Sequence, residues 1–534
     1  MNNEILYIIG RSSWLLDERV FPWLGILKVA AAFEEQGYRS TMLDLSGITN
    51  WKQVLKEFAA NNKKQFDFIA YTATTPNVPE VVEVVSEARV LFPGTKQVLG
   101  GTHATSMNAA TKNEIKRGVL NGRAKQSVDK LLTIFDILVC GDGEMTLKDI
   151  LALDKGIVDA DDRKSNLFLS DDQFTNLPEP RRTLIDIQSY KYFIDGHKAT
   201  SVVGQLGCPY GCQFCGMRLS PSMRLIRNRT VDSIVKEVKG LYDIYGFTGF
   251  MFYDDELNVS KSMIELMNKL TDLQLKLGVS FAFRGFLKSE ITTEEQMIAL
   301  KKANFSILLC GFESGNDRIL KNIEKKATKE DNTRFVELAK KHGLKTKALM
   351  SLGHPGESFE TINDTKQWLL DVQPEDFDAT VITTFGSSPY YDLATHLYDD
   401  VYVYTHAKSG DKLYQKTIDF TKEAGFYKGS ELNYRSYVWT DYITAEQLVE
   451  ERNKLENEVR TKLNIPFNPS SAAKAYECSM GQSGELPDWI LRTTPDNFMA
   501  LETPHSRHEV TSQSTILPLT DAAPFKPKRS LNVI

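Results

Sequence analysis

The chain has 534 residues, 42% hydrophobic and 25% charged, and its 64 Lys plus Arg against 70 Asp plus Glu leave a formal charge of −6. This is the balance of a soluble globular protein, and the length predicts about three domains. Six cysteines in so long a chain exclude a secreted disulfide scaffold and point to a reducing, cytoplasmic compartment, while the mildly acidic total speaks against nucleic acid as a partner.

The start, Met1-Asn2-Asn3-Glu4, carries no basic stretch, and the apolar run Ile5 to Ile9 is too short for a signal peptide. No run of about 18 uninterrupted apolar residues follows, so no membrane span is expected. Residues 1–153 alternate apolar runs (Ile5–Gly10, Ser40–Leu45, Phe66–Ala73, Gln97–Gly101, Asp136–Gly141) with helical patterns (Leu24–Gln36, Trp51–Ala60, Val78–Phe92). The expected fold there is a Rossmann-like α/β domain, a parallel sheet with helices on both faces. Ligands of such sheets bind at the strand carboxyl ends, where Gly10, Thr72 and Gly100-Gly101 fall.

Residues 154–197 are polar, contain Leu177-Pro178-Glu179-Pro180 and read as a linker. Over 198–400 a second alternation gives six strand-helix units, too few for a closed eight-fold barrel, so a partial TIM-like barrel is expected. A C-terminal helical region is expected over 401–465, where Ala445–Leu463 is strongly periodic. The tail, 466–534, holds eight of the 19 prolines and reads as irregular or disordered.

In Gly207-Cys208-Pro209-Tyr210-Gly211-Cys212-Gln213-Phe214-Cys215-Gly216, three thiols can converge on one soft metal centre if the loop curls, which its glycines permit. Structural zinc normally takes four protein ligands, and no fourth Cys or His lies nearby; His197 is eleven residues before Cys208 and Cys310 is far away. A Gly- and Pro-rich loop is also a poor place for cysteines that merely fill a core. An iron–sulfur cluster with one iron left open fits best.

The Cys-x3-Cys-x-Phe-Cys pattern, at the end of the first strand of a six-fold strand-helix domain, resembles the radical S-adenosylmethionine (SAM) superfamily. The resemblance implies that Cys208, Cys212 and Cys215 hold a 4Fe-4S cluster whose free iron binds SAM, with Phe214 as the motif's aromatic residue beside it. Reductive cleavage of SAM would then yield a 5′-deoxyadenosyl radical. Further cofactor contacts are implied for Asp254 and Asp255 after the second strand and for Arg284 at the end of the third. Glu313 and Ser314 in Gly311-Phe312-Glu313-Ser314-Gly315, and Gly353 in Leu352-Gly353-His354-Pro355-Gly356-Glu357, complete that set. Taken singly, each acidic residue also reads as a helix cap, Glu313 least so because it directly follows an apolar strand. Arg218, Arg224, Arg227 and Arg229 read as anion ligands or, for at least two of them, as a solvated approach to the next helix.

Residues 1–153 resemble the cobalamin-binding domain that precedes the radical domain in one subgroup, on Pro22-Trp23-Leu24-Gly25, Gly100-Gly101-Thr102-His103 and Gly141-Asp142-Gly143-Glu144. This implies cobalamin near Gly10, Thr72, Gly100 and Gly101. The Asp-x-His-x-x-Gly motif that supplies a histidine ligand is missing, since Gly10–Leu16 contains no histidine. His103 and His354 read as polar loop histidines, Cys140 and Cys310 as core residues, and Cys478 is unassigned. The implied activity is methyl transfer to an unreactive carbon, with methylcobalamin as donor. A small-molecule or biosynthetic-intermediate substrate and an electron donor such as flavodoxin or ferredoxin go with it. Radical cyclisation or rearrangement without bound cobalamin, and a non-catalytic iron–sulfur redox sensor, are the alternatives.

Overall fold

The computed structural model describes residues 3–12, 18–48, 50–190, 192–427 and 434–465; the tail 466–534, with Cys478, lies outside the described residues. The first sheet contains β1 (Glu4–Ile9), β2 (Arg39–Asp44), β3 (Phe68–Thr72), β4 (Lys96–Gly100), β5 (Ile137–Gly141) and β6 (Gly156–Ala160). All its pairings are parallel, in the order β2-β1-β3-β4-β5-β6. Along β1, Ile5, Tyr7 and Ile9 enter one core while Leu6 and Ile8 enter another, which is why the strand reads as a continuous apolar run. With β1 flanked by β2 and β3, the winding direction reverses beside it, and Gly10 and Thr72 stand at the resulting crevice.

The segment 154–197 is more than a linker. Its apolar Ile157-Val158 lets β6 extend the first sheet, and β7 (Tyr192–Ile194) opens the second. β7 and β8 (His197–Val202) form a hairpin through Asp195 and Gly196, whose φ values of 45° and 78° make the tight turn. A short ladder of β9 (Gln205–Leu206) with β10 (Arg227–Asn228) brackets the cysteine loop. β11 (Gly249–Phe252), β12 (Ala282–Leu287), β13 (Phe305–Glu313), β14 (Lys345–Leu352) and β15 (Asp376–Val381) then add in parallel, and the sheet curls into a half-barrel. Phe250, Phe252, Phe283 and Leu308 face the covering helices; Ala199, Met251, Ala282 and Leu309 face the concave side.

The barrel stays open at β15, whose free edge is covered by the helix Ala445–Leu463. Glu456 accepts the Ala379 N–H at 2.7 Å, and Arg452 Nε donates to the Ala379 carbonyl at 2.7 Å. Arg460 donates to the Phe377 carbonyl, and the Tyr434 hydroxyl accepts the Val381 N–H at 2.8 Å. An edge paired this way presents no template for another strand.

The expected helical region at 401–465 holds its helix, Ala445–Leu463, but a small sheet precedes it. β16 (Thr395–Tyr398), β17 (Val401–Thr405), β18 (Lys412–Lys416) and β19 (Val438–Trp439) form an antiparallel sheet, and helix begins only at Ala445. Val401-Tyr402-Val403-Tyr404-Thr405 is wholly β-branched or aromatic, and such residues favour a pleated, half-buried surface. Among the described residues no helix is long and apolar enough to cross a membrane.

Candidate cofactor site at the cysteine loop

Gly207 enters the loop at φ +86°, where a Cβ would stand 2.2 Å from the Leu225 carbonyl oxygen, so no other residue fits. Beyond it the loop is pinned by its backbone. Cys208 N–H donates to Met223 at 3.0 Å, Gln213 N–H to Ile323 at 3.0 Å, and Tyr390 N–H to Gln213 at 3.2 Å. Arg224 donates to the Tyr210 and Pro209 carbonyls at 2.6 and 2.7 Å. Asp254 is buried and accepts the Gly204 N–H at 2.7 Å, so its carboxylate fixes the turn before the loop.

The three thiols are free and half-buried. Burial, reinforced by Asp255, Glu256 and the neighbouring thiols, pushes Cys208 up to about 11; burial and the charges around it push Cys215 up to about 12. Among the described residues no group of three or more His, Cys, Asp or Glu converges on a single metal ion. A four-iron cluster takes each thiolate at a separate iron, so its three ligands need not converge on one point.

Carboxylates and lysines surround the thiols. Glu313 sits at φ +66°, strained for a non-glycine residue, at a register shift between β13 and β14. Lys325 donates to it at 3.1 Å and the Ser351 hydroxyl at 2.7 Å; Ser351 in turn lies 2.8 Å from His354 Nε2. Burial pulls the Lys325 ammonium down, but Glu313, Cys212 and Glu256 outweigh it and hold it well above its ordinary value. Lys288 lies 4.3 Å over the Tyr210 ring and 2.6 Å from Glu290. Burial raises Asp255 to about 6 and Glu256 to about 7. Glu256 Oε2 and Arg218 Nε are buried with no hydrogen-bond partner among the described residues, and Arg218 lies against the loop at Gly211. One orphaned acceptor and one orphaned donor beside three thiols fit the amino and carboxylate ends of an amino-acid cofactor.

Other expected residues hold the site together or lie off it. Phe214 meets His354 edge-on at 5.3 Å and packs on Ile319, Leu320 and Ile323. Ser314 accepts the Asn316 N–H at 3.1 Å, and Gly353, at φ +92°, donates to Glu357 at 3.1 Å. Arg284 is not at the end of its strand: β12 continues through Gly285-Phe286-Leu287, which pair with Leu308, Leu309 and Cys310. Its side chain is buried one layer below the mouth, 3.4 Å from the Tyr192 hydroxyl. Arg227 and Arg229 are not solvated; both are buried, paired with Asp142 and Glu237. Cys140 and Cys310 are buried in two separate cores. Lys325, Lys288 and Ser351 carry no sequence pattern that marks them as site residues.

In the front domain, a Cβ on Gly101 (φ +101°) would meet the Ala73 carbonyl at 2.6 Å, and one on Gly10 would meet Val81 at 2.9 Å. These glycines serve the chain's own close packing at the crevice. His103 is no loop residue: it is buried in the first turn of the helix Thr102–Lys116, 3.1 Å from the Thr75 hydroxyl, and burial lowers its pKa to about 4. Its Nε2 and the Nδ2 atoms of Asn77 and Asn108 are buried without partners among the described residues. Two of these, on Asn77 and His103 beside the ends of β3 and β4, fit a long polar tail such as that of a corrinoid.

The carboxyl ends of the two sheets face each other. Asp161, just past β6, accepts from Ser220 at 2.7 Å and from the Ser222 hydroxyl at 2.6 Å, and Arg227 reaches Asp142 past β5. Phe21 of the front domain meets Tyr253, just past β11, at 5.4 Å between ring centroids.

A parallel α/β domain set against a half-barrel across a three-thiol loop is a two-domain arrangement that places one ligand crevice opposite another. Residues 202–369 match the Radical SAM superfamily and residues 18–132 the B12 binding domain. The chain thus carries a radical SAM domain with a B12-binding domain in front of it. It is 26% identical over 345 residues to an uncharacterized methyltransferase of Pyrococcus horikoshii, covering 61% of this chain and 69% of that one. It is 24% identical over 403 residues to the anaerobic magnesium-protoporphyrin IX monomethyl ester cyclase of Cereibacter sphaeroides, covering 73% of this chain and 62% of that one. Its fold is that of the radical SAM methyltransferase TsrM from Kitasatospora setae, solved with cobalamin and a [4Fe-4S] cluster bound. The TM-score is 0.60 at 16% identity, covering 86% of this chain and 89% of TsrM.

Proposed function

We propose that the chain is a cobalamin-dependent radical SAM methyltransferase acting on an unreactive carbon of a small molecule. The observation that carries this reading is the face-to-face placement of the two strand-end crevices, locked by Asp161 on Ser220 and Ser222. The methyltransferase name of the Pyrococcus relative and the cobalamin and cluster bound by TsrM point the same way.

When bound, the cluster supplies the electron that cleaves SAM and the corrinoid supplies a methyl carrier. The chain's own residues hold and orient. Cys208, Cys212 and Cys215 are the cluster ligands, kept in register by Gly207, Arg224 and Asp254. Glu256 and Arg218 present unpaired atoms to the amino and carboxylate groups of SAM. Lys325 and Ser351 fix the Glu313 carboxylate beside them. Asn77 and His103 would line the tail of a corrinoid. A flavodoxin or ferredoxin delivers the electron, and the enzyme works in the cytoplasm.

Radical cyclisation is the second reading, favoured by the 24% identity to the Cereibacter cyclase. Purification with cobalamin supplied separates the two: a corrinoid spectrum that survives desalting supports methyl transfer, and a colourless front domain favours cyclisation.

A further inference from the structure

The concave face of the half-barrel carries a cluster of rings that the cofactor residues do not use. Phe21, from the front domain, meets Tyr192 edge-on at 4.7 Å and Tyr253 at 5.4 Å, and Tyr253 meets Phe286 at 6.4 Å and 87°. Tyr253, Phe21 and Phe286 thus form a corner of steeply inclined rings, with buried Met251, Ala282 and Leu309 in the same apolar group. Tyr253 is 48% exposed although it immediately precedes the buried Asp254. On the concave face, with Phe21 and Phe286 set steeply against it, this exposed ring faces a recess inside the half-barrel. The recess borders the thiol loop, because the next residue along the chain, Asp254, accepts the Gly204 N–H at 2.7 Å in the turn before that loop.

We propose that this recess receives the reacting part of the substrate, and that this part is an aromatic ring laid on the open face of Tyr253 with its edges toward Phe21 and Phe286. The proposal rests on the radical SAM reading of the site and adds its substrate class. Edge-to-face and offset ring contacts stabilise beyond the area they bury, whereas an aliphatic group of the same size gains the area alone. Because Phe21 comes from the front domain, the recess is complete only when both domains are in place.

The test uses the full chain with its cluster reconstituted and SAM at saturation, so that no empty adenosine site is probed. Binding of 2-naphthol and of its saturated analogue decahydro-2-naphthol is followed by equilibrium dialysis. The ring is expected to bind about 3- to 10-fold tighter than its saturated counterpart. Phe21→Leu and Phe286→Leu, which keep apolar bulk but remove a ring, should each bring the two dissociation constants together. Equal affinities in the unaltered enzyme, which need no variant to fold, would overturn the proposal, and so would a preference that survives both substitutions. SAM binding measured in the same samples reports separately on the cofactor reading. A ring preference without SAM binding keeps the aromatic recess and removes its assignment to a radical SAM substrate.

Discussion

Asp161 accepts both the Ser222 hydroxyl, at 2.6 Å, and the Ser222 backbone N–H, at 2.8 Å, in a buried contact between the end of the first sheet and the segment leaving the cysteine loop. Ser220 adds a third donor at 2.7 Å. The two crevices are held opposite each other by a carboxylate with several donors and not by apolar packing alone.

Asp161→Ala leaves the Ser222 N–H and two hydroxyls without their acceptor in a buried place. Stability to urea should fall by about 2–3 kcal/mol. A loss within error of zero would mean that the domain contact does not depend on this carboxylate.

Gly207→Ala places a methyl group against the Leu225 carbonyl in a left-handed backbone. The cysteine loop should shift while the two cores stand. Iron bound per chain after anaerobic reconstitution should drop several-fold, with far-ultraviolet circular dichroism unchanged; full iron content would refute this account of the loop.

Glu456→Ala strips Arg452 and Arg460 of their shared buried partner and leaves the Ala379 N–H unpaired. Removing one member of a buried ion network costs about 3–5 kcal/mol. Urea unfolding should show a loss of that size; a surface-like change of a few tenths would contradict the edge-covering role.

The first sheet was legible because both of its faces are buried, so Ile5 to Ile9 reads as an unbroken apolar run. The hairpin turn at Asp195-Gly196 was equally written in the sequence but was hidden inside a segment whose prolines suggested a linker. The C-terminal sheet is masked in the sequence by the strong helical period of Ala445–Leu463, although the β-branched and aromatic residues of Val401–Thr405 signal a strand. At the site, local spacing made the cysteines legible. Lys325 and Ser351 were not, since they arrive from separate segments brought together only by the fold. Arg284 lies one layer deeper than the sequence predicts because strand ends are the least determined feature of an apolar run.

His103 gives the apoprotein an acid sensitivity. Burial lowers its pKa from 6.5 to about 4, so the unfolded chain binds the proton more readily and stability is lost as pH falls between those values. His103→Leu should therefore lose less of its urea midpoint than the unaltered chain between about pH 7 and about pH 5. Parallel losses would show that His103 does not titrate in this way.

The most direct test of the central claim is mass spectrometry of SAM products after anaerobic reconstitution with iron, sulfide, cobalamin and reductant, alongside Cys212→Ala. Methyl transfer by this architecture predicts both 5′-deoxyadenosine and S-adenosylhomocysteine, and neither from Cys212→Ala. 5′-Deoxyadenosine without S-adenosylhomocysteine would contradict methyl transfer, and its persistence in Cys212→Ala would contradict the assignment of the cysteine loop itself.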